Sequence, residues 1–292
     1  MAAEAAPAPR APSTLGASLR DPRGRFGAVV LAIIVLAAAL APLISTGTPA
    51  LQRDVVATRF LPPASVDLHG VLHLLGTDRL GRDVWTRLVY GARVSIGVGV
   101  LAVAISLAIG LLVGAVAGLW RGPVRIVLLG ATDFMLALPR VVLLLLLAAL
   151  WSPSATLTIV VLGVTGWMPI ARLVHGEVRG LVARPFVEGA VALGAGRGRL
   201  VARHLLPNVL TPVIVAAALG VGNAILLEAG LSFLGLGVQP PAPSWGNMIA
   251  SGRDALMNAP WVAAAPGVAL VLVVVACTLL GDAIQSALTA HS

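Results

Sequence analysis

The sequence predicts an all-α membrane protein with six transmembrane helices. Three observations carry that reading: 58% of the 292 residues are hydrophobic and only 11% charged, the charges are separated by long uncharged runs, and the basic residues gather in alternate connections. A soluble domain has roughly a quarter of its residues charged. Lipid offers the backbone no hydrogen-bonding partner, so a chain this apolar must pair its amides internally. An α-helix does so, and crosses about 30 Å of hydrocarbon with roughly 20 residues.

The elements follow in chain order. Residues 1–25 are rich in Ala and Pro and lack an apolar core, so they read as a cytoplasmic N-terminal tail rather than a cleavable leader. Between Arg25 and Arg53 lie 27 uncharged residues. Their apolar part, Phe26 to Ile44, gives a first helix that Pro42 helps to end; residues 26–92 hold this helix and an extracytoplasmic loop. A second run of 27, between Arg93 and Arg121, gives the second helix. Its Gly110, Gly114 and Gly118 stand at i,i+4 steps, a spacing that lets another helix approach closely. The 31 uncharged residues between Arg140 and Arg172 are too many for one straight span. Trp151-Ser152-Pro153-Ser154 supplies a turn, so this run holds the end of a third helix and all of a fourth. Pro139 should bend the third. Asp133 and Arg140 stand two turns apart and share a face, either as a structural salt bridge, as side chains snorkelling to the nearby interface, or as a functional intramembrane pair. Runs of 24 residues from His204 to Leu227 and 27 from Ala255 to Gly281 give the fifth and sixth helices. Residues 93–282 are then a five-helix core and 283–292 a cytoplasmic C-terminal tail.

All 20 basic residues are arginines. Without lysine there is neither a Walker A phosphate loop nor a Schiff base, so any driving energy must enter through another chain. Arginines are retained on the cytoplasmic side of a bilayer. With the N-terminus inside, twelve fall in inner segments and seven in outer ones, which puts both termini in the cytoplasm. The net charge of +8 would suit nucleic acid, but 4% aromatic content supplies no stacking surface, and no nucleic-acid partner is expected. The single Cys277 rules out an internal disulfide and a multi-cysteine metal site. His69 and His73 are spaced i,i+4 but lack a third ligand, so no metal is assigned. A hydrolase would need a nucleophile and base, and Gly230-x-Ser232 has no histidine on a neighbouring span.

The inner stretch from His175 to Pro207 is too long for a turn and too polar for a span. Its apolar residues recur at helical spacing on both sides of Gly194 to Gly198, which predicts two short amphipathic helices around a glycine break. Helices this short need a docking surface. A soluble partner or the lipid headgroups would serve.

Within that stretch, Glu188-Gly189-Ala190-Val191-Ala192-Leu193-Gly194, followed by Leu206-Pro207, resembles the "EAA" loop of permeases of ATP-binding cassette (ABC) importers; Gly189 replaces the usual alanine. Two outer stretches narrow the resemblance to permeases of the dipeptide/oligopeptide/nickel family. One is His73 to Asp83, with Gly76, Thr77, Asp78, Gly81, Arg82 and Asp83, running on to Tyr90-Gly91-Ala92-Arg93-Val94-Ser95. The other runs from Glu228 through Gly237 to Trp245. The resemblance implies a type I ABC importer permease fold in a bacterial inner membrane. It implies that this chain is not itself an enzyme and binds no cofactor, ATP and Mg being held by two cytoplasmic ATP-binding subunits gripped by the EAA loop. A related permease subunit and an extracytoplasmic substrate-binding protein complete the implied assembly. Di- or oligopeptides are the implied cargo, with nickel or another small solute as the alternative, and a purely structural membrane subunit as a further one. The outer motifs either dock the binding protein or scaffold their own loops, and Glu228 either caps a loop or meets substrate.

Overall fold

A computed structural model of the chain describes residues 18–52, 54–185, 187, 189 and 196–289. Nine helices of eight residues or more are found among them: α1 (Pro22–Ala39), α2 (Val84–Leu119), α3 (Pro123–Ala137), α4 (Arg140–Ala149), α5 (Ala155–Val164), α6 (Trp167–Val182), α7 (Leu206–Phe233), α8 (Trp245–Gly252) and α9 (Trp261–Thr289). Two short strands, β1 (Ser65–Val66) and β2 (Leu72–His73), pair antiparallel between α1 and α2. Helix α1, α2, the run Ala155–Val182, α7 and α9 are each long and apolar enough to cross a membrane. Helices α3 and α4 pass the same test only as a pair, bent by 87° at their break, which is the geometry of a broken span or a re-entrant loop. Five of the six expected spans are thus found as continuous runs in the expected order, and the bent pair stands in the place of the third.

Three details differ from the sequence reading. First, α2 begins at Val84, some ten residues before the uncharged run. Asp83 caps it, accepting the Thr86 amide at 2.7 Å, and the arginines inside its first turns are used rather than excluded. Arg93 donates to the carbonyls of Ala38 and Ala39 at the end of α1, and Arg87 to that of Pro49. Arg93 thereby meets carbonyls at the end of α1, and Arg87 one in the connection that follows.

Second, Asp133 and Arg140 do not pair. The bend at Leu138-Pro139 carries Arg140 away from the axis of α3, and Asp133 instead meets Arg172 on α6, with Nε at 2.9 Å. Pro139 lacks the amide that would continue the helix, which makes the bend a direct consequence of the sequence.

Third, α6 continues to Val182, so the connection toward α7 begins at Ala183 rather than His175. Val174, Val178 and Leu181 are buried on the α6 face that a free loop would expose. Of the first expected short helix, Pro185, Val187 and Gly189 are helical beyond the turn that ends α6, and its remaining residues from 186 to 193 lie outside the described ones; the second is not a separate element. Arg197–Leu200 passes through a π-helical turn, Val201–Leu205, directly into α7. Pro207 sits in the first turn of α7, where its missing N–H is tolerated.

Small residues set the packing. A methyl at Gly110 would lie 2.7 Å from the Ile170 Cβ, and one at Gly114 2.5 Å from the Ala171 carbonyl oxygen. The glycine steps of α2 thus face α6, and only glycine lets the two backbones come this close. At Gly24 and Gly27, α1 makes equally close contacts with Ala283, Ala276 and Leu280 of α9. The start of α1 and the end of α9 therefore lie at one end of the bundle, the terminal end. The opposite end carries β1, β2 and α8.

Candidate functional site

The outer motifs build a collar at the end away from the termini. Gly76 and Gly81 adopt positive φ of 71° and 70°, which a side chain would strain. Between them, Asp78 is the hub. Its Oδ1 accepts the amides of Leu80 and Arg82 at 2.8 and 3.0 Å, and its Oδ2 accepts Arg82 Nε at 2.7 Å. Arg82 Nη2 lies 2.7 Å and Arg87 Nε 3.7 Å from the same oxygen. Thr77 ties the strand to its neighbours: its hydroxyl donates to the Thr58 carbonyl and accepts the Leu61 amide, while the Trp261 indole donates to the Thr77 carbonyl at 3.2 Å. Through that last bond the collar holds the start of α9.

Behind this loop, His73 lies between two carboxylates, with Nδ1 2.9 Å from Asp83 and Nε2 3.6 Å from Asp67. Burial opposes ionisation of Asp67, but the Val71 and His69 amides and the neighbouring His73 outweigh it and hold the carboxyl below its ordinary value of 3.8. Among the described residues no group of three or more His, Cys, Asp or Glu is placed to hold a metal ion.

Glu228 organises the second half of the collar. It is fully buried near the end of α7, and its carboxylate accepts from Ser95 of α2 at 2.8 Å and Ser232 at 2.7 Å. Ser95 Oγ in turn accepts the Trp245 amide, and Ser232 Oγ accepts the Val238 amide at 2.9 Å. The Trp245 indole donates to the Leu88 carbonyl at 3.1 Å. One carboxylate thereby locks α2, α7 and the start of α8 together. Ser244 and Asn247 form a capping box on α8, each side chain bonding the other's backbone.

Thr77, Asp78, Arg82, Glu228 and Trp245 are all buried. The structure brings the predicted outer residues together as an internal framework of two adjoining networks. Ser95, part of the first outer stretch but with no partner assigned from sequence, completes it, as do Asp67 and Arg87, which sequence reasoning left without a role. The signal for Arg87 and Ser95 lay in their place within an otherwise apolar helix, but their partners are distant in sequence.

At the terminal end, Gly189 is exposed with open space where a side chain would stand, and Leu206 and Pro207 are exposed at the start of α7. Val187 is buried in a cluster with Leu181, Leu200, Leu205 and Val209. Glu188, Ala190 and Gly194 lie outside the described residues.

A polytopic bundle with a built polar collar at one end and a helical connection at the other defines a membrane-embedded component. Residues 110–291 match the family described as "binding-protein-dependent transport system inner membrane component", and the chain belongs to that family. It is 38% identical over 263 residues to the di/tripeptide transport system permease protein DppC of Pseudomonas aeruginosa, covering 90% of this chain and 86% of that one. Against the dipeptide transport system permease protein DppC of Alkalihalophilus pseudofirmus the identity is 36% over 262 residues, covering 90% and 84%. Among solved structures, the inward-facing MetNI methionine ABC transporter shares the fold, with a TM-score of 0.57 at 22% identity over 69% of this chain and 96% of that one. The type I importer permease fold is thus shared, and this chain is a multi-pass permease subunit.

Proposed function

We propose that this chain is one of two related permease subunits of an ATP-driven importer of short peptides, and that its inner connection, around residues 183–205, is the element gripped by the ATP-binding subunits. ATP and Mg belong to those partner chains; this one contributes the pathway. The terminal end faces the cytoplasm, in keeping with the arginine distribution, and the collar faces the side from which a binding protein delivers its cargo. The reading of peptides as cargo rests on likeness to the di- and tripeptide permeases.

The observation that carries the mechanical part is continuity. From Arg197 to Phe233 the backbone is helical without interruption, joining the inner connection to the Glu228 lock at the other end. A push on the connection is therefore delivered along α7 to α2 and α8, rather than absorbed in a loop. In this reading Glu188 meets a basic group on the ATPase and Gly194 allows the reversal between the two short helical segments. The collar residues Gly76 to Asp83, Glu228 and Trp245 act as scaffold, fixing the surface that a binding protein meets.

The test is uptake of labelled di- and tripeptides, and of nickel, by cells lacking this subunit and complemented with wild type, Glu188→Lys or Gly194→Pro. Wild type should restore peptide uptake, while both variants reach the membrane yet restore none and abolish substrate stimulation of ATP hydrolysis. Nickel uptake without peptide uptake would overturn the cargo; normal stimulation in both variants would overturn the coupling role.

A further inference from the structure

Midway along the bundle, Arg140 has no counter-ion among the described residues. Arg140 opens α4 at the bend and lines an open cavity of about 50 Å³ between α2, α5, α6 and α7, whose otherwise small and apolar wall includes Ser106, Gly166, Gly220 and Asn223. Positions near 106 and 220 fall close to the middle of α2 and α7, which places this cavity deep in the membrane-spanning part. The Arg140 Nε is buried without a hydrogen-bond partner. Asp133, the nearest carboxylate in sequence, is committed to Arg172, and among the described residues Arg140 forms no ion pair. Its guanidinium lies against Gly166, where a Cβ would come within 3.2 Å of Nη2. Ser106 is already engaged, donating to the Gly163 carbonyl at 2.9 Å, whereas Asn223 is exposed on the same wall. The N-cap of α4, Pro139, makes no side-chain hydrogen bond to the first turn, so the positive end of the helix dipole has no side-chain cap.

A cation inside a span is expensive unless an anion meets it, and such residues mark substrate pathways. Broken spans in transporters aim their half-helix N-termini at anionic groups of the substrate. Here a bent helix pair, an unpaired guanidinium and an exposed amide converge on one small cavity. We infer that this cavity receives the terminal carboxylate of the transported peptide, held by the Arg140 fork with the Asn223 amide beside it. The planar guanidinium matches a carboxylate with two parallel hydrogen bonds. The cavity admits a carboxylate group, and the remainder of the ligand extends along the open wall at Asn223. This assignment rests on the proposal that the cargo is a peptide.

The experiment compares uptake of dialanine and of dialanine C-terminal amide by the assembled importer in proteoliposomes, at saturating loaded binding protein and per assembled complex. The wild type, Arg140→Gln and Arg140→Lys are each measured, every rate being taken relative to wild type with the same peptide. Arg140→Gln should lower uptake of the free acid by about tenfold or more and leave the amide little changed; Arg140→Lys, which keeps the cation but not the fork, should fall between Arg140→Gln and wild type on the free acid. Equal loss of both peptides in Arg140→Gln, no loss of either, or a lysine variant as impaired as the glutamine one would overturn the carboxylate site while leaving the peptide reading intact. A wild-type importer that assembles but carries neither peptide would overturn the peptide reading, and the ligand named here with it.

Discussion

Replacing Gly114 by leucine is expected to prevent the bundle from closing. At this position even one methyl would stand 2.5 Å from the Ala171 carbonyl oxygen and 2.7 Å from the Val174 Cβ, and leucine adds three further carbons. Neither neighbour is the free end of a flexible chain: one is helix backbone and the other a β-branched stem, so the helices must separate. Overpacking a single site costs about 1–3 kcal/mol when the surroundings can shift, and here the cost reaches the upper end or beyond because α2 and α6 touch along several turns. In lipid there is no hydrophobic gain to offset it, since close packing is itself the main force between spans. Detergent-solubilised Gly114→Leu should therefore elute as aggregate or melt many degrees below wild type. Gly130→Leu is the control: nothing lies within 4 Å of its Cβ position, and its melting should be close to wild type. Equal behaviour of the two variants would contradict the α2–α6 contact.

A comparable loss is expected from Asp78→Ala, for an electrostatic reason. The Asp78 carboxylate accepts two loop amides and neutralises Arg82, with Arg87 close by. Both arginines are buried. Removing one partner of a buried charge pair costs about 3–5 kcal/mol, because the remaining charge is left uncompensated. The collar should open rather than the whole bundle unfold, since α2, α7 and α9 retain their apolar contacts. Hydrogen exchange should then rise in residues 76–83 and at the start of α9, which the Trp261 indole ties to Thr77, while the middle of α7 stays protected. Asp78→Asn keeps the loop-amide acceptor but not the charge, and should fall between the two. Wild-type exchange in Asp78→Ala would remove the hub assignment.

The spans were legible because lipid imposes one rule on all of them: no charge in a long run. That rule fails where a charge has a local partner. Arg87 and Arg93 stand inside α2 because they reach carbonyls left by the preceding chain, so the helix starts earlier than an uncharged run suggests. The glycine steps named the face of α2 that packs but not its partner. Pro139 announced a bend; its direction, and hence the separation of Arg140 from Asp133, depends on how α3 and α4 settle against α5 and α6. The collar motifs were visible as turn formers and charges, and Gly76, Gly81 and Gly235 do take positive φ. Their connectivity was not visible. Glu228 and Ser95 are 133 residues apart, and no local pattern in an apolar helix says which serine a carboxylate will meet. Apolar periodicity likewise marked short helices in the inner stretch: Leu181 belongs to the packing of α6, Pro185, Val187 and Gly189 are helical, and the last segment merges with α7.

The central claim is that separate ATP-hydrolysing chains drive this bundle by holding its inner connection. Gly189 is exposed, with space for a side chain, and Cys277 is buried, which makes a single reactive thiol feasible. In a Cys277→Ala background, Gly189→Cys should be labelled by a membrane-impermeant maleimide in inverted vesicles and not in intact cells, and a thiol-linked photo-crosslinker there should trap the ATP-binding subunit of the assembled importer. Labelling from outside the cell, or an assembled and transporting complex in which that crosslinker never captures the ATPase, would contradict it.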